Sequence, residues 1–219
     1  MSGSTDTEAG SDSGPAFVAP RPLPDGTALW LIRHGETEWS KSGRHTSHTD
    51  VPLTRHGEAQ ALALGELLRG VQPAYVLSSP RQRARHTADL AGLTVDAIDA
   101  DLAEWDYGDY EGLTTTQIRK QVPGWSLWTH PLPGGEAAAD VSARADRVLA
   151  RALPYLAEGP VILVAHGHIS RVIGARWIGL PALAGGRFAL GTTAPSVLGA
   201  EHGAAVIERW NVPNPAAES

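Results

Sequence analysis

The chain contains no cysteine, which excludes disulfide bridges and thiolate metal sites and leaves the redox compartment open on that ground. It also lacks any apolar run approaching the roughly 20 residues that a membrane-spanning helix needs. The N-terminus lacks the basic-then-apolar order of a secretory signal, so a cytoplasmic protein with no membrane partner is the expectation. Positive charge is scarce: 18 Lys and Arg face 24 Asp and Glu, a formal net charge of −6. No basic stripe stands out, so no nucleic-acid partner is expected. Residues 1–26 are mostly Ser, Gly, Pro, Asp and Thr and have almost nothing to bury, which predicts a disordered N-terminal tail. Residues 27–213 have the length of one domain with a substantial core, and 214–219 read as a flexible C-terminal end. There is no internal repeat.

What remains is a regular alternation of apolar patterns. Strands are predicted at Ala28–Ile32, Tyr75–Leu77, Thr94–Ile98 and Val161–Ala165. A closing hairpin is predicted over Ser196–Gly199 and Ala204–Trp210, with His202-Gly203 at its turn. Helices are predicted from about Thr54 towards Gly70, with a stripe of Ala61, Leu62, Ala63, Leu64, Leu67 and Leu68, and from Pro80 to about Leu90. Two more run from about Glu136 to Leu156 and, after the strand at Val161–Ala165, through about Ile178. Asp101–Gly112 reads as loop. Strands alternating with helices imply an α/β fold, a three-layer α/β/α sandwich with a mostly parallel central sheet. In such sheets a ligand sits at the carboxyl ends of the strands.

Two histidines fall at such ends. Arg33-His34-Gly35 follows the first strand, and His166-Gly167-His168 follows Val161–Ala165. A guanidinium beside an imidazole suits a phosphate: the arginine grips the oxygens, and a neutral His34 can attack phosphorus. Neighbouring guanidinium charge favours that neutral state. A bare Arg-His-Gly is also compatible with a turn and a solvated arginine. Ser78-Ser79-Pro80-Arg81-Gln82-Arg83-Ala84-Arg85 forms a strand-to-helix junction in which Arg81 and Arg85 share a face and Arg83 points elsewhere. One subset faces inward and the other is solvated. Glu104, Asp106, Asp109 and Glu111 lie among aromatics between Leu102 and Gly112. Each could protonate a leaving alkoxide if partial desolvation raised its pKa. The His-x-His pair is compatible with zinc chelation, but a helix starting at Gly167 would turn His168 to a different side from His166. No metal or cofactor is expected.

Together these residues resemble the histidine phosphatase superfamily, with its phosphoglycerate-mutase-like fold, from about Leu29 to Trp210. Arg33-His34-Gly35-Glu36-Thr37 matches the nucleophile motif, which implies that His34 is phosphorylated. Ser79-Pro80-Arg81-Gln82-Arg83-Ala84 matches Ser-Pro-x-x-Arg-Ala and implies Arg83 as a second phosphate-binding arginine beside Arg33. Glu104 with Tyr107-Gly108 and Glu111-Gly112 matches the acid-bearing loop, which implies Glu104 as proton donor. Ala165-His166-Gly167 matches the second histidine, which hydrogen-bonds the phosphate. Within the superfamily the chain is similar to actinobacterial acid phosphatases and to sedoheptulose-1,7-bisphosphatase-like members. That likeness implies substrate-binding roles for Ser40, Thr46, Tyr107 and Arg171. At Ser47 the chain departs from the family's usual glycine.

Cofactor-dependent mutases of this kind carry extra cations after the acid loop, whereas Leu113–Pro133 holds only Arg119 and Lys120. The expected protein is therefore a metal-independent phosphomonoesterase acting on small phosphorylated metabolites, sugar phosphates or bisphosphates. A phosphoglycerate mutase and a non-catalytic phosphate-binding module are the alternatives. Self-association into a homodimer is left open.

Overall fold

The computed structural model describes residues 22–24 and 26–215. Strand β1 (Ala28–Arg33) leads to a four-residue helix α1 (Glu38–Lys41), capped by Thr37, and then to α2 (Arg55–Leu67). Strand β2 (Tyr75–Ser78), helix α3 (Gln82–Leu90) and the two-residue β3 (Ala97–Ile98) follow. Helices α4 (Thr115–Gln121) and α5 (Ala138–Ala152) precede β4 (Val161–Ala165) and α6 (Gly167–Trp177). The hairpin of β5 (Ser196–Glu201) and β6 (Ala204–Arg209) closes the sheet. Among the described residues no helix is long and apolar enough to cross a membrane.

The six strands form one sheet in the order β3-β2-β4-β1-β5-β6. The first four run parallel, and β5 and β6 are antiparallel. β4 is fully buried because helices cover both faces of the sheet, which is why it reads as an unbroken apolar run. On one face Leu29, Leu31, Val161 and Leu163 pack with residues of α5 and α6. On the other, Ile32, Val76, Ile162 and Val164 meet Leu64, Ala84 and Ala88 of α2 and α3.

Register decides where the chemistry goes. Arg33 pairs with Ala165 and Ser78 with Val164, so β1, β4 and β2 end level with one another. His34 N then donates to Ala165 O, and Ser79 N to Val164 O. Arg33, His34, Ser79 and His166 thus leave the sheet side by side.

Several boundaries differ from the sequence reading. The strand expected over Thr94–Ile98 shrinks to Ala97–Ile98, because the Asp96 carboxylate takes the Val76 N–H at 2.8 Å. The helix expected to reach Leu156 ends at Ala152 and tightens into a 3-10 turn over Leu153–Ala157. Pro154 has no N–H to continue the ladder. In α2 the stripe narrows to Ala61, Leu64 and Leu68, while Leu62 and Leu67 face solvent. The predicted loop contains 3-10 turns at Ala100–Leu102 and Gly108–Tyr110. Helix α4 and the 3-10 turn Ala182–Arg187 were not anticipated.

The expected N-terminal tail lies largely outside the described residues. Within it Leu23 is buried in the core and donates to Gly203 O, so packed structure begins before residue 27. At the other end Asn214, expected to be flexible, is buried and bonded to Gln60 O and Thr193 Oγ1. Residues 216–219 lie outside the described part.

Candidate active site

A cavity of about 170 Å³ opens at the level ends of the strands, with Arg33, His34, Glu104, Tyr107, His168 and Arg171 in its wall. A larger cleft of about 390 Å³ between α3 and β3 contains none of the expected site residues. His34 is buried, and its Nδ1–H donates to Gly35 O at 2.7 Å. That bond leaves the Nε2 lone pair free. Burial first, then the charges of Arg83 and Arg33, lower the His34 pKa to about 3, so the ring is neutral at ordinary pH. Gly35 is required by packing: a Cβ there would lie 2.4 Å from Gly57 O.

Arg33 donates through Nη1 to Leu190 O at 2.7 Å, while its buried Nε has no partner. Leaving such a donor orphaned costs free energy unless a ligand satisfies it. Opposite stands Gly167, where a Cβ would sit 3.4 Å from Arg33 Nε and 3.7 Å from Glu104 Oε2. The missing side chain keeps open the space between guanidinium and carboxylate.

Of the four candidate carboxylates only Glu104 lines this cavity. Asp106 is held by His48 Nε2 at 2.9 Å and by Gly108 N. Glu111 accepts from Ser47 N, Ser47 Oγ and Thr49 N. Glu104 accepts from His168 N and Ile169 N in the first turn of α6, each at 2.9 Å, and from Trp105 N. The expected raised pKa is not found. Burial pushes it up, but His168 and those N–H groups outweigh burial and hold it well below the usual carboxylate range.

Arg83 and His166, expected to touch the phosphate, are both fully buried next to His34. The His34 and His166 rings meet edge-on with centroids 5.2 Å apart. Arg83 Nε donates to His166 Nδ1 at 3.2 Å, so the neutral ring carries its proton on Nε2 and donates it to Ser79 Oγ at 2.7 Å. The Arg83 Nη groups hold Thr46 O, Ser47 O and Thr49 O. Arg85 is exposed, as the divergence of these arginines predicted.

The expected substrate contacts all reach the cavity. Ser40 lines it from the capping box of α1, and Thr46 from the following loop. The Tyr107 hydroxyl is 2.6 Å from His168 Nδ1. Arg171 donates to Gly185 O and lies over the Trp128 ring at 4.5 Å. Ser47 has no positive φ and uses its hydroxyl on Glu111, so nothing at this position demands glycine. His168 anchors Glu104 through its N–H and Tyr107 through its ring, on a different side from His166. Among the described residues no three His, Asp or Glu side chains come together as a metal would need.

A sequence profile of the histidine phosphatase superfamily (branch 1) matches residues 29–213. The chain belongs to that superfamily. It is similar to an acid phosphatase of Mycobacterium tuberculosis, at 50% identity over 80% of this chain and 87% of that protein. It is also similar to the sedoheptulose 1,7-bisphosphatase of Saccharomyces cerevisiae, at 38% identity over 68% of this chain and 67% of that one. The solved structure of an open reading frame product from M. tuberculosis superposes with a TM-score of 0.82 at 47% identity, covering 85% and 98% of the two chains. As a histidine phosphatase the protein is an enzyme of the phosphoric monoester hydrolase type, and it shares its fold with the superposed structure.

Three residues of this histidine phosphatase site had no signal in the sequence. His45 enters the wall because Arg44 and Thr114 bridge the strand-like segments on either side of it. Arg44 reaches the rim, over the Trp39 ring. Leu190 contributes only a carbonyl, which no side-chain pattern encodes.

The buried imidazoles also set an acid limit to stability. His34 is lowered to about 3 and His45, mainly by burial, to about 4, with His166 and Glu104 shifted the same way. A folded pKa below the unfolded one means the unfolded chain binds more protons, so stability falls as pH drops below about 6.5. At pH 4.5 His34 alone removes about 2–3 kcal/mol. Through His34 alone, scanning calorimetry should show Tm falling by about 5–10 °C between pH 7 and 4.5, with His45 and His166 adding to that fall. A flat Tm over that range would show that these rings are not buried neutral.

Proposed function

We propose that the protein is a metal-independent phosphomonoesterase that hydrolyses small phosphorylated metabolites through a phosphohistidine at His34. The observation that carries this reading is the pairing of a neutral His34, its Nε2 lone pair set free by the bond to Gly35 O, with the unpartnered Nε of Arg33. In the first step Nε2 attacks phosphorus and the bond to the leaving oxygen breaks. That oxygen takes a proton from Glu104. In the second step water attacks phosphorus, loses its proton to the Glu104 carboxylate, and the P–N bond breaks to free His34 and inorganic phosphate.

Glu104 is ionised by its lowered pKa, so its proton must come in with the substrate. A phosphate monoester holds its second proton below about pH 6, and its negative charge raises the pKa of a neighbouring carboxylate. In this scheme Arg33, Arg83 and His166 neutralise the charge on the equatorial oxygens.

A cavity of about 170 Å³ suits a small metabolite. Arg171 and Arg44 add two cations to its wall, which favours a second anionic group such as that of a sugar bisphosphate. Transfer to water rather than to a second substrate position is favoured because Arg119 is spent on Trp125 O and neither it nor Lys120 lines the cavity.

Hydrolysis of p-nitrophenyl phosphate should be unchanged by excess EDTA, and quenched turnover should yield a peptide with phosphate on His34. Activity lost to EDTA and restored by zinc would overturn the metal-independent scheme. Faster interconversion of phosphoglycerates than hydrolysis would establish the mutase instead.

A further inference from the structure

The segment that follows β6 turns back behind the phosphate end of the sheet. Trp210 Nε1 donates to Ala189 O, Asn211 Oδ1 accepts from Gly191 N at 2.7 Å, and Val212 N donates to Pro195 O. Asn214, 1% exposed, donates through Nδ2 to Thr193 Oγ1 at 2.8 Å and to Gln60 O at 2.9 Å. Both partners hydrogen-bond the backbone of the Arg33–Glu36 segment. Thr193 N donates to Arg33 O at 2.9 Å. Gln60 Oε1 accepts from Glu36 N at 2.9 Å, two residues past His34. Between them, Leu190 O receives the Arg33 guanidinium.

Thr193 itself is strained. It is fully buried with φ 51°, in the left-handed region that a β-branched residue avoids. Such a conformation survives only where surrounding bonds over-determine it, and it concentrates at sites whose geometry matters. Here the bond from Asn214 to its hydroxyl and the bond from its own N–H to Arg33 O hold it from two sides. Asn211, at φ 53°, makes the turn that brings the strap into reach.

We propose that Asn214 is a positioning residue for phosphoryl binding, fixing the backbone on both sides of Arg33-His34 through Thr193 and Gln60. The inference rests on Arg33 binding the phosphoryl group, as proposed above. A purely structural strap would instead close the sheet and lower stability, without regard to Arg33. The two roles predict different couplings.

The test is calorimetric titration of inorganic phosphate into the full chain, its Asn214→Ala and Arg33→Ala variants, and the double variant, with Tm measured on each. Asn214→Ala should weaken phosphate binding about tenfold when Arg33 is intact and less than about twofold when it is absent. The Tm loss from Asn214→Ala should be the same in both backgrounds. Unchanged affinity in Asn214→Ala beside a weakened Arg33→Ala would overturn the strap's role, as would equal affinity losses in both backgrounds. Unchanged affinity in Arg33→Ala would overturn the phosphate reading beneath it. If Asn214→Ala fails to fold, Thr193→Gly carries the same test, since it removes the hydroxyl acceptor while permitting the backbone angle.

Discussion

Replacing His34 by Ala should reduce turnover of any phosphate ester by at least about 10⁴-fold, since removing a covalent nucleophile leaves only binding and electrostatic stabilisation. No phosphorylated peptide should form. The variant should keep its fold, because the imidazole is held by one local bond to Gly35 O and by ring packing against His166. It should also resist acid better than the parent. The group whose pKa is lowered to about 3 is gone, so its share of the stability lost below about pH 6.5 disappears. Two opposite responses from one substitution, in turnover and in acid stability, separate a buried neutral nucleophile from an ordinary core histidine. Activity above a few per cent, with contamination excluded, would rule out covalent catalysis at His34.

How much of this was readable in advance follows the range of each interaction. Arg33, His34 and His166 stand where apolar runs stop, and a strand's end is a local feature. The parallel sheet then brings those ends together without further instruction. Arg83 could be separated from Arg85 by helical spacing alone, and one is indeed buried and the other exposed. That Arg83 would also reach His166 depends on where the carbonyls of residues 46, 47 and 49 hold it. Nothing in the helix announces them.

The acid loop shows the limit most clearly. Four carboxylates within eight residues are equivalent by composition. Resemblance picks out Glu104, and what sets it apart in the structure lies 64 residues away, in two N–H groups at the start of α6. The His168 side chain at that terminus, more than its N–H, reverses the expected direction of the Glu104 pKa; desolvation was foreseeable from the aromatics, but the approach of His168 to Glu104 was not. Arg144 was likewise invisible. From the middle of α5 it grips Asp101 O and Ala103 O and pairs with Glu136, which holds the loop in place. Trp105 Nε1 donates to Glu136 O, which is why α5 starts later than its periodicity suggested.

Glu104→Gln should distinguish leaving groups more sharply than any other substitution. With a sugar phosphate the departing alkoxide needs a proton, and phosphorylation of His34 should slow by about 10²–10⁴-fold. With p-nitrophenyl phosphate the leaving group needs little protonation, so His34 should still be phosphorylated quickly. Water attack then lacks its base. The variant should therefore release a burst of p-nitrophenol equal to the enzyme present and accumulate phosphohistidine, a burst that sugar phosphates do not give. In the parent enzyme the rate should peak on the acid side of neutral. His34 stays neutral down to about pH 3, while the proton shared by Glu104 and the phosphate is lost as pH rises. The basic limb should flatten in Glu104→Gln for p-nitrophenyl phosphate phosphorylation. Equal losses for both substrates in Glu104→Gln, with a leaving-group-dependent loss in Asp106→Asn instead, would move the acid role to Asp106. The structure argues against that outcome, because Asp106 is spent on His48 and Gly108 N and lies outside the cavity.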